Sequence, residues 1–305
     1  MEFYREETLE ELKTFLHNNS KNSNLIDDLK KRFQHENFKA IIVYIFQNSQ
    51  DIDVLNKILR YVNLSKLQEF LPYLITFISS ENWNENFLSL KVIAIKTIAN
   101  YKDKSAVPAL LYCLNDKNSN YKIRLACADA LGKIGDKNAF ETLTNIVYDE
   151  KEKSTYVKES AVNALGMLGD NRAIDVFDSI MSTKQMFLDK FIYLKERIVE
   201  AIGNLEIENN SKAIEILKKS ITDPSDSLRI SSIEAIMNSN IKESYDLIYD
   251  RLQNDVSLEV KENALIALYN ISDKAILEEV LNNDYCEELK KLARKILEEY
   301  EENNE

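Results

Sequence analysis

One line of this sequence is written twice. IRLACADALGKIGDKNAFETL begins at Ile123, and VKESAVNALGMLGDNRAIDVF begins at Val157, 34 residues later. A period this short constrains the fold more than any other feature, because one such unit cannot bury its own apolar face and needs copies of itself on either side. The period runs well beyond the two clearest copies. A basic residue preceded by an apolar one recurs at Lys91, Arg124, Lys158, Lys195, Arg229, Lys261 and Lys290, in steps of 33, 34, 37, 34, 32 and 29. Counted from the apolar partner, small or apolar residues fall at offsets 0, 4, 7, 8 and 11, which is one stripe of an amphipathic helix.

Six residues before each base stands a turn residue: Glu85, Asn118, Glu152, Asp189, Asp223, Asp255 and Asp284. A negative charge there suits the positive end of the helix that follows. Stacking the units sets acids and bases in two adjoining lines, so each acid meets bases of its own and a neighbouring unit. The expected ladder comprises Asp189, Asp223, Asp255 and Asp284 with Arg124, Lys158, Lys195, Arg229, Lys261 and Lys290. Partly exposed pairs of this kind are worth about 0–1 kcal/mol each, so their expected role is register. Between successive base-bearing helices lies a second short helix, as in NAFETLTNIV, RAIDVFDSIM and KAIEILKKSI. Glu141, Asp175, Glu215 and Asp246 hold matching positions in its first turn.

The turn acid, the apolar–basic pair six residues on and the Ala-rich base-bearing helix resemble the HEAT repeat. ALGKIGD and ALGMLGD, with Pro108 in a partner helix, resemble the short subtype first named from phycobilisome lyases. The resemblance covers residues 86–300. The Trp, Tyr and Pro landmarks of tetratricopeptide repeats and the TPLHxA of ankyrin repeats are missing. The resemblance implies an all-α fold: an α-solenoid, a right-handed superhelix of stacked antiparallel helix pairs, with the base-bearing helices on its concave face. Scarce Gly (5) and Pro (3) suit helices joined by short polar loops. Residues 1–85 carry weaker helical patterns (LEELKTFL, FKAIIVYIF, LQEFLPYLITFI) and are read as divergent N-terminal repeats or a cap. Residues 86–305 are read as the array proper, ending in the charged capping helix EELKKLARKILEEYEENNE, with the two parts forming one continuous solenoid. Trp83, in ENWNEN, marks the loop at the boundary.

Three columns of the base-bearing helices are read as solvent-facing: Val92, Leu125, Glu159, Glu196, Ile230 and Glu262; Lys96, Asp129, Asn163, Glu200, Glu234 and Ile266; Asn100, Lys133, Met167, Asn204, Asn238 and Asn270. From Glu159 to Glu262 they are acidic and amide-rich. This pattern points to a protein or peptide partner of basic or mixed polar character, held by Glu159, Glu196, Glu200, Glu234 and Glu262, with Asn204, Asn238 and Asn270 bonding its backbone. The 37-residue step adds MSTKQMFLD, whose Met186 and Phe187 are a second candidate contact.

Several function classes are disfavoured. A net charge of −12 argues against a nucleic-acid partner. The longest apolar stretch, AIIVYIF, is far too short to span a bilayer, and the acidic N-terminus has no signal-peptide pattern. Cys113, Cys127 and Cys286, widely spaced and odd in number, read as reduced, small, buried hydrophobes of a cytoplasmic protein. The two histidines, His17 and His35, lie outside the clear repeats, and no phosphate-cradling Gly motif occurs. No catalytic, cofactor-binding or metal-binding residues are therefore assigned. A lone His35-Glu36 pair is too little for the di-iron centre of HEAT-like deoxyhypusine hydroxylase, and an acidic groove does not suit HEAT-like alkylpurine DNA glycosylases. The expected function is a non-catalytic scaffold or adaptor. Two alternatives stand beside it: a bilin-lyase-like enzyme or chaperone, implied by the resemblance alone, and a self-associating structural protein.

Overall fold

The computed structural model describes residues 6–33, 38–80, 85–182, 192–205, 207, 210–239, 241, 243–272 and 274–302. His35, Glu36, Trp83, Met186, Phe187 and Asp189 lie outside the described residues. Among those described, the chain is all α-helix and short 3-10 turns with no strand. It divides into two compact units, residues 1–139 and 140–305.

The first unit holds α1 (Glu6–Asn19), α2 (Leu25–Arg32), α3 (Phe38–Asn48), α4 (Ile52–Leu64), α5 (Leu71–Ser79), α6 (Leu88–Tyr101), α7 (Val107–Asn115) and α8 (Tyr121–Ile134). Here α6 packs between α4 and α8, while α5 pairs with α6 and α7 with α8. The second unit holds α9 (Phe140–Tyr148), α10 (Thr155–Met167), α11 (Ala173–Met181), α12 (Ile192–Gly203), α13 (Ser211–Ser220), α14 (Asp226–Asn238), α15 (Ser244–Asn254), α16 (Leu258–Ser272), α17 (Ala275–Asn282) and α18 (Glu287–Glu302). Its base-bearing helices α10, α12, α14 and α16 pack in a row, and α11 packs on α13 in the partner layer. Short turns make each pair antiparallel, and like stacks on like. This is an α-solenoid fold, built because each pair covers the apolar stripe its neighbour leaves open.

The stripe is buried as its spacing requires. Val157, Ala161 and Leu165, then Leu228, Ser232 and Ile236, then Val260, Ala264 and Leu268 are buried in the second unit. Leu297, on α18, is only half-buried. Caps set the helix ends. Asp51 accepts from the backbone N–H groups of Asp53 and Val54 at the start of α4. Asn120 and Asn210 do the same for α8 and α13, accepting from Lys122 N–H and Ala213 N–H. Gly135 closes α8 in the left-handed region, with φ 71°, and donates to the Leu131 carbonyl at 3.1 Å.

Two other glycines set how closely the base-bearing row packs. A Cβ built on Gly166 would lie 2.7 Å from Ala201 Cβ and 2.9 Å from its Cα. One on Gly203 would lie 2.9 Å from Ala235 Cα. Helices α10, α12 and α14 therefore meet backbone to backbone at these points. No described helix is long and apolar enough to cross a membrane.

Candidate partner-binding face

The base column has a structural task beyond pairing with acids. Lys91 Nζ donates to the Ser80 carbonyl at 3.2 Å, Arg124 Nε to Leu114 at 2.9 Å and Lys261 Nζ to Gln253 at 3.0 Å. Each acceptor sits at the end of the preceding helix, where carbonyls lack intrahelical donors. The bases thus cap α5, α7 and α15 while their stems pack inward. Arg229 does this work twice, donating to the Asp223 carbonyl at 2.8 Å and to Pro224 at 3.1 Å.

Acids meet the base of the preceding unit. Asp223 accepts from Lys195 at 3.1 Å, and Asp255 takes a two-pronged bond from Arg229, 2.8 Å at Nε and 2.8 Å at Nη2. Arg251 reaches the same carboxylate at 3.5 Å, and the Ser257 N–H donates to it at 2.9 Å. Asp255 therefore ties α14, α15 and the start of α16 together. The Arg229 and Asp255 side chains are only 6% and 1% exposed, so this pair is buried where sequence spacing predicts partial exposure. Burial alone would raise the Asp255 carboxyl; the bonds from Arg229 and Ser257 and the charges of both arginines outweigh it and leave the group below its ordinary value. Lys158 and Lys290 are half-buried and Asp284 is exposed.

The face of the base-bearing row is graded rather than uniformly open. Val92, Leu125, Glu159, Ile230 and Glu262 are half-buried and Glu196 is buried, at 9% exposure. Read from spacing alone, this column faces solvent; the close approach at Gly166 and Gly203 instead folds its middle into the seams between helices. Glu200 is half-buried, and Glu234, Asn204, Asn238 and Asn270 are exposed. Asn204 Nδ2 donates back to the Glu200 carbonyl at 3.0 Å, and Asn270 Nδ2 approaches Met237 Sδ at 3.9 Å.

Electrostatically, the four glutamates of α10, α12 and α14 form one group. Burial first, and then the charge of Glu196, push the Glu159 carboxyl above its ordinary value, against the pull of Arg197. Burial likewise raises Glu200, with Glu196 and Glu234 adding to the shift and Arg197 opposing it. Arg197 Nη1 bonds Glu200 directly. Glu196 has no hydrogen bond or ion pair among the described residues. The carboxylates do not converge as metal ligands do: no group of three or more His, Cys, Asp or Glu among the described residues is placed to hold a metal ion.

Sequence spacing predicts cysteines that are all buried, and one is not: Cys286 is exposed, while Cys113 and Cys127 are buried. The latter two lie fourteen residues apart on α7 and α8, which pack against each other.

The fold and this face define a helical-repeat protein whose units are helix pairs joined by a turn acid and a capping base. The HEAT-repeat family profile matches residues 74–155 and 119–188, so this span carries HEAT repeats. A search of curated protein sequences finds no match. Among solved structures, the chain is similar to one from the complex of CpcE and CpcF of phycocyanin lyase from Nostoc sp. PCC7120, with 23% identity, TM-score 0.49, and coverage of 75% of this chain and 87% of that one. It is also similar to a chain from a complex of Kap95p with RanGDP, at 13% identity and TM-score 0.48, covering 95% and 46%. An engineered protein is similar at 15% identity and TM-score 0.47, covering 94% and 83%.

Proposed function

We propose that this protein is a non-catalytic HEAT-repeat scaffold or adaptor that holds a basic segment of a protein or peptide partner along the α10–α16 face. The observation that carries the reading is the acidic cluster of Glu159, Glu196 and Glu200, in which burial and like charge raise the Glu159 and Glu200 carboxyls against the pull of Arg197. Partly desolvated carboxylates facing one arginine cost free energy that an incoming lysine or arginine would offset. Glu234 and Glu262 extend the negative face, and Asn204, Asn238 and Asn270 offer donors and acceptors to a peptide backbone. In this reading the Met186–Phe187 segment is a second contact point. Charge complementarity of this kind sets orientation and association rate more than affinity.

The test is affinity capture from native lysate with wild type and with Glu159→Gln/Glu200→Gln/Glu234→Gln, each checked by circular dichroism. A partner with a basic segment, held by wild type and released by the variant, is the expected result. A partner held equally by both moves the site off this face.

A further inference from the structure

A separate feature lies in the first unit: a hollow of about 820 Å³ between α1, α3 and the turn that leads into α5. Leu9, Ala40, Val43, Leu67, Phe70 and Tyr73 give it mostly apolar walls. Its origin is a change in how the partner layer packs. Helix α5 packs directly on α7. Between α3 and α5, by contrast, aromatic rings intervene. Phe46 stands 5.1 Å from Phe70 and 4.8 Å from Phe77, and Phe70 stands 5.6 Å from Tyr73, ring centre to ring centre. Rings of this size space the two helices, and the hollow is the room left beside them. Its volume lies within the range of small-molecule sites, which are mostly apolar with a few polar groups that orient the ligand.

Those polar groups are ordered. Lys39, Val43 and Gln47 all line the hollow and recur at i, i+4 and i+8, so they form one line along α3. The hollow therefore follows the helix for roughly 12 Å, at about 1.5 Å per residue. A linear ligand suits such a trough better than a compact one. Positive charge stands at one end. Lys39 is the one basic residue among the described residues that line the hollow, and it sits in the first turn of α3, where the helix dipole is also positive. From there the line runs over Val43 to the uncharged Gln47. Lys39 Nζ bonds both carboxylate oxygens of Glu69, at 2.8 and 2.9 Å, but the two side chains are 63% and 70% exposed. An ion pair so open to water is given up at little cost. A carboxylate arriving on an apolar chain can take the place of Glu69 while its chain leaves water for the trough.

We propose that the first unit binds one long-chain alkyl carboxylate in this hollow, with its carboxylate on Lys39 and its chain along α3 over Val43 toward Gln47. The head group matters as much as the chain. An alkylammonium would meet Lys39 and the positive end of α3. An alkyl alcohol would leave Lys39 with Glu69 and gain only the burial of its chain.

The experiment titrates the full chain with dodecanoate, dodecanol and dodecylammonium, which share one tail, by isothermal titration calorimetry. Saturable binding of one dodecanoate per chain, tighter than the other two, is expected. Lys39→Gln should weaken dodecanoate about fivefold and leave dodecanol unchanged, and Glu69→Gln, which removes the competing carboxylate, should strengthen dodecanoate by a similar factor. Both positions are exposed, so neither change touches the core. Val43→Trp, checked by circular dichroism, fills the trough and should abolish binding of all three. Equal affinity for the three head groups, or tighter binding of dodecylammonium, overturns the anionic ligand. Absence of saturable binding, or a folded Val43→Trp protein that binds like wild type, overturns the site.

Discussion

Arg229 and Glu234 stand on the same helix, α14, and their surroundings could hardly differ more. Arg229 is buried and fully engaged, with two bonds to the Asp255 carboxylate and two to turn carbonyls. Glu234 is exposed and belongs to a group in which Glu159, Glu196 and Glu200 crowd around one guanidinium. At the ends of the helices, charge is consumed in holding repeats together. Along their middles it is left over. Charge that a fold does not use internally is available to something else, and that separates the structural ladder from the candidate binding face more clearly than residue type does.

The sharpest way to break this comparison is to remove Arg229. Arg229→Met strands the Asp255 carboxylate in the core and should cost about 3–5 kcal/mol in urea unfolding. Arg229→Met/Asp255→Leu should recover most of that loss, because a buried pair replaced by apolar groups of similar size is often neutral. If the single variant unfolds like wild type, the ladder is not structural. Next in size is Gly166→Ala. Its new methyl meets Ala201 backbone, and forcing α10 from α12 should cost about 1–3 kcal/mol. The same displacement separates Glu159 from Glu196, so the Glu159 carboxyl should move back toward its ordinary value in a carbon-detected NMR titration.

Much of this was legible from spacing. The 34-residue recurrence located every helix of the array, because one apolar stripe per unit can be buried in only one way. It also found the acid and base columns. What it missed depends on distances across helices, which a column of letters does not contain. Glu196 shares its column with exposed-looking neighbours, yet where α12 meets α10 closely at Gly166 and Ala201 only 9% of the residue is left exposed. The glycines of ALGMLGD were the available signal. Gly169 serves a left-handed turn, with φ 62°, whereas Gly166 serves helix-to-helix approach, and the sequence does not distinguish the two. Spacing pairs the bases with acids, and their bonds to helix-end carbonyls leave no trace in composition.

The two charged regions should also respond to pH with opposite sign. Asp255 is depressed, so its contribution is complete above the ordinary aspartate value of about 3.9 and is lost as pH falls through the lower folded value. Glu159 and Glu200 are raised, so they reduce stability above their folded values, and that cost fades as pH falls toward the ordinary glutamate value of about 4.3. Glu196→Gln tests the second half. Glu196 and Glu200 are like charges one helical turn apart, a pairing that costs about 0.2–0.5 kcal/mol. The variant should be more stable than wild type by about that amount at neutral pH, with the gain vanishing in acid. A loss of stability would mean that Glu196 has a partner and that the face carries no surplus charge.

The smallest effect is expected where an ion pair looks best on geometry alone. Lys212 and Asp175 link α13 to α11 at 2.6 Å, shorter than the contacts of the buried ladder. Both side chains are open to solvent, 55% and 70% exposed, so water and salt screen what little they gain and each keeps its freedom when the partner is gone. Lys212→Ala should leave the unfolding midpoint within experimental scatter and should not alter the salt dependence of unfolding. A clear drop, abolished by high salt, would instead show that the partner layer of helices carries a second ladder, and the distinction between consumed and surplus charge would then have to be drawn by geometry on both layers rather than by burial.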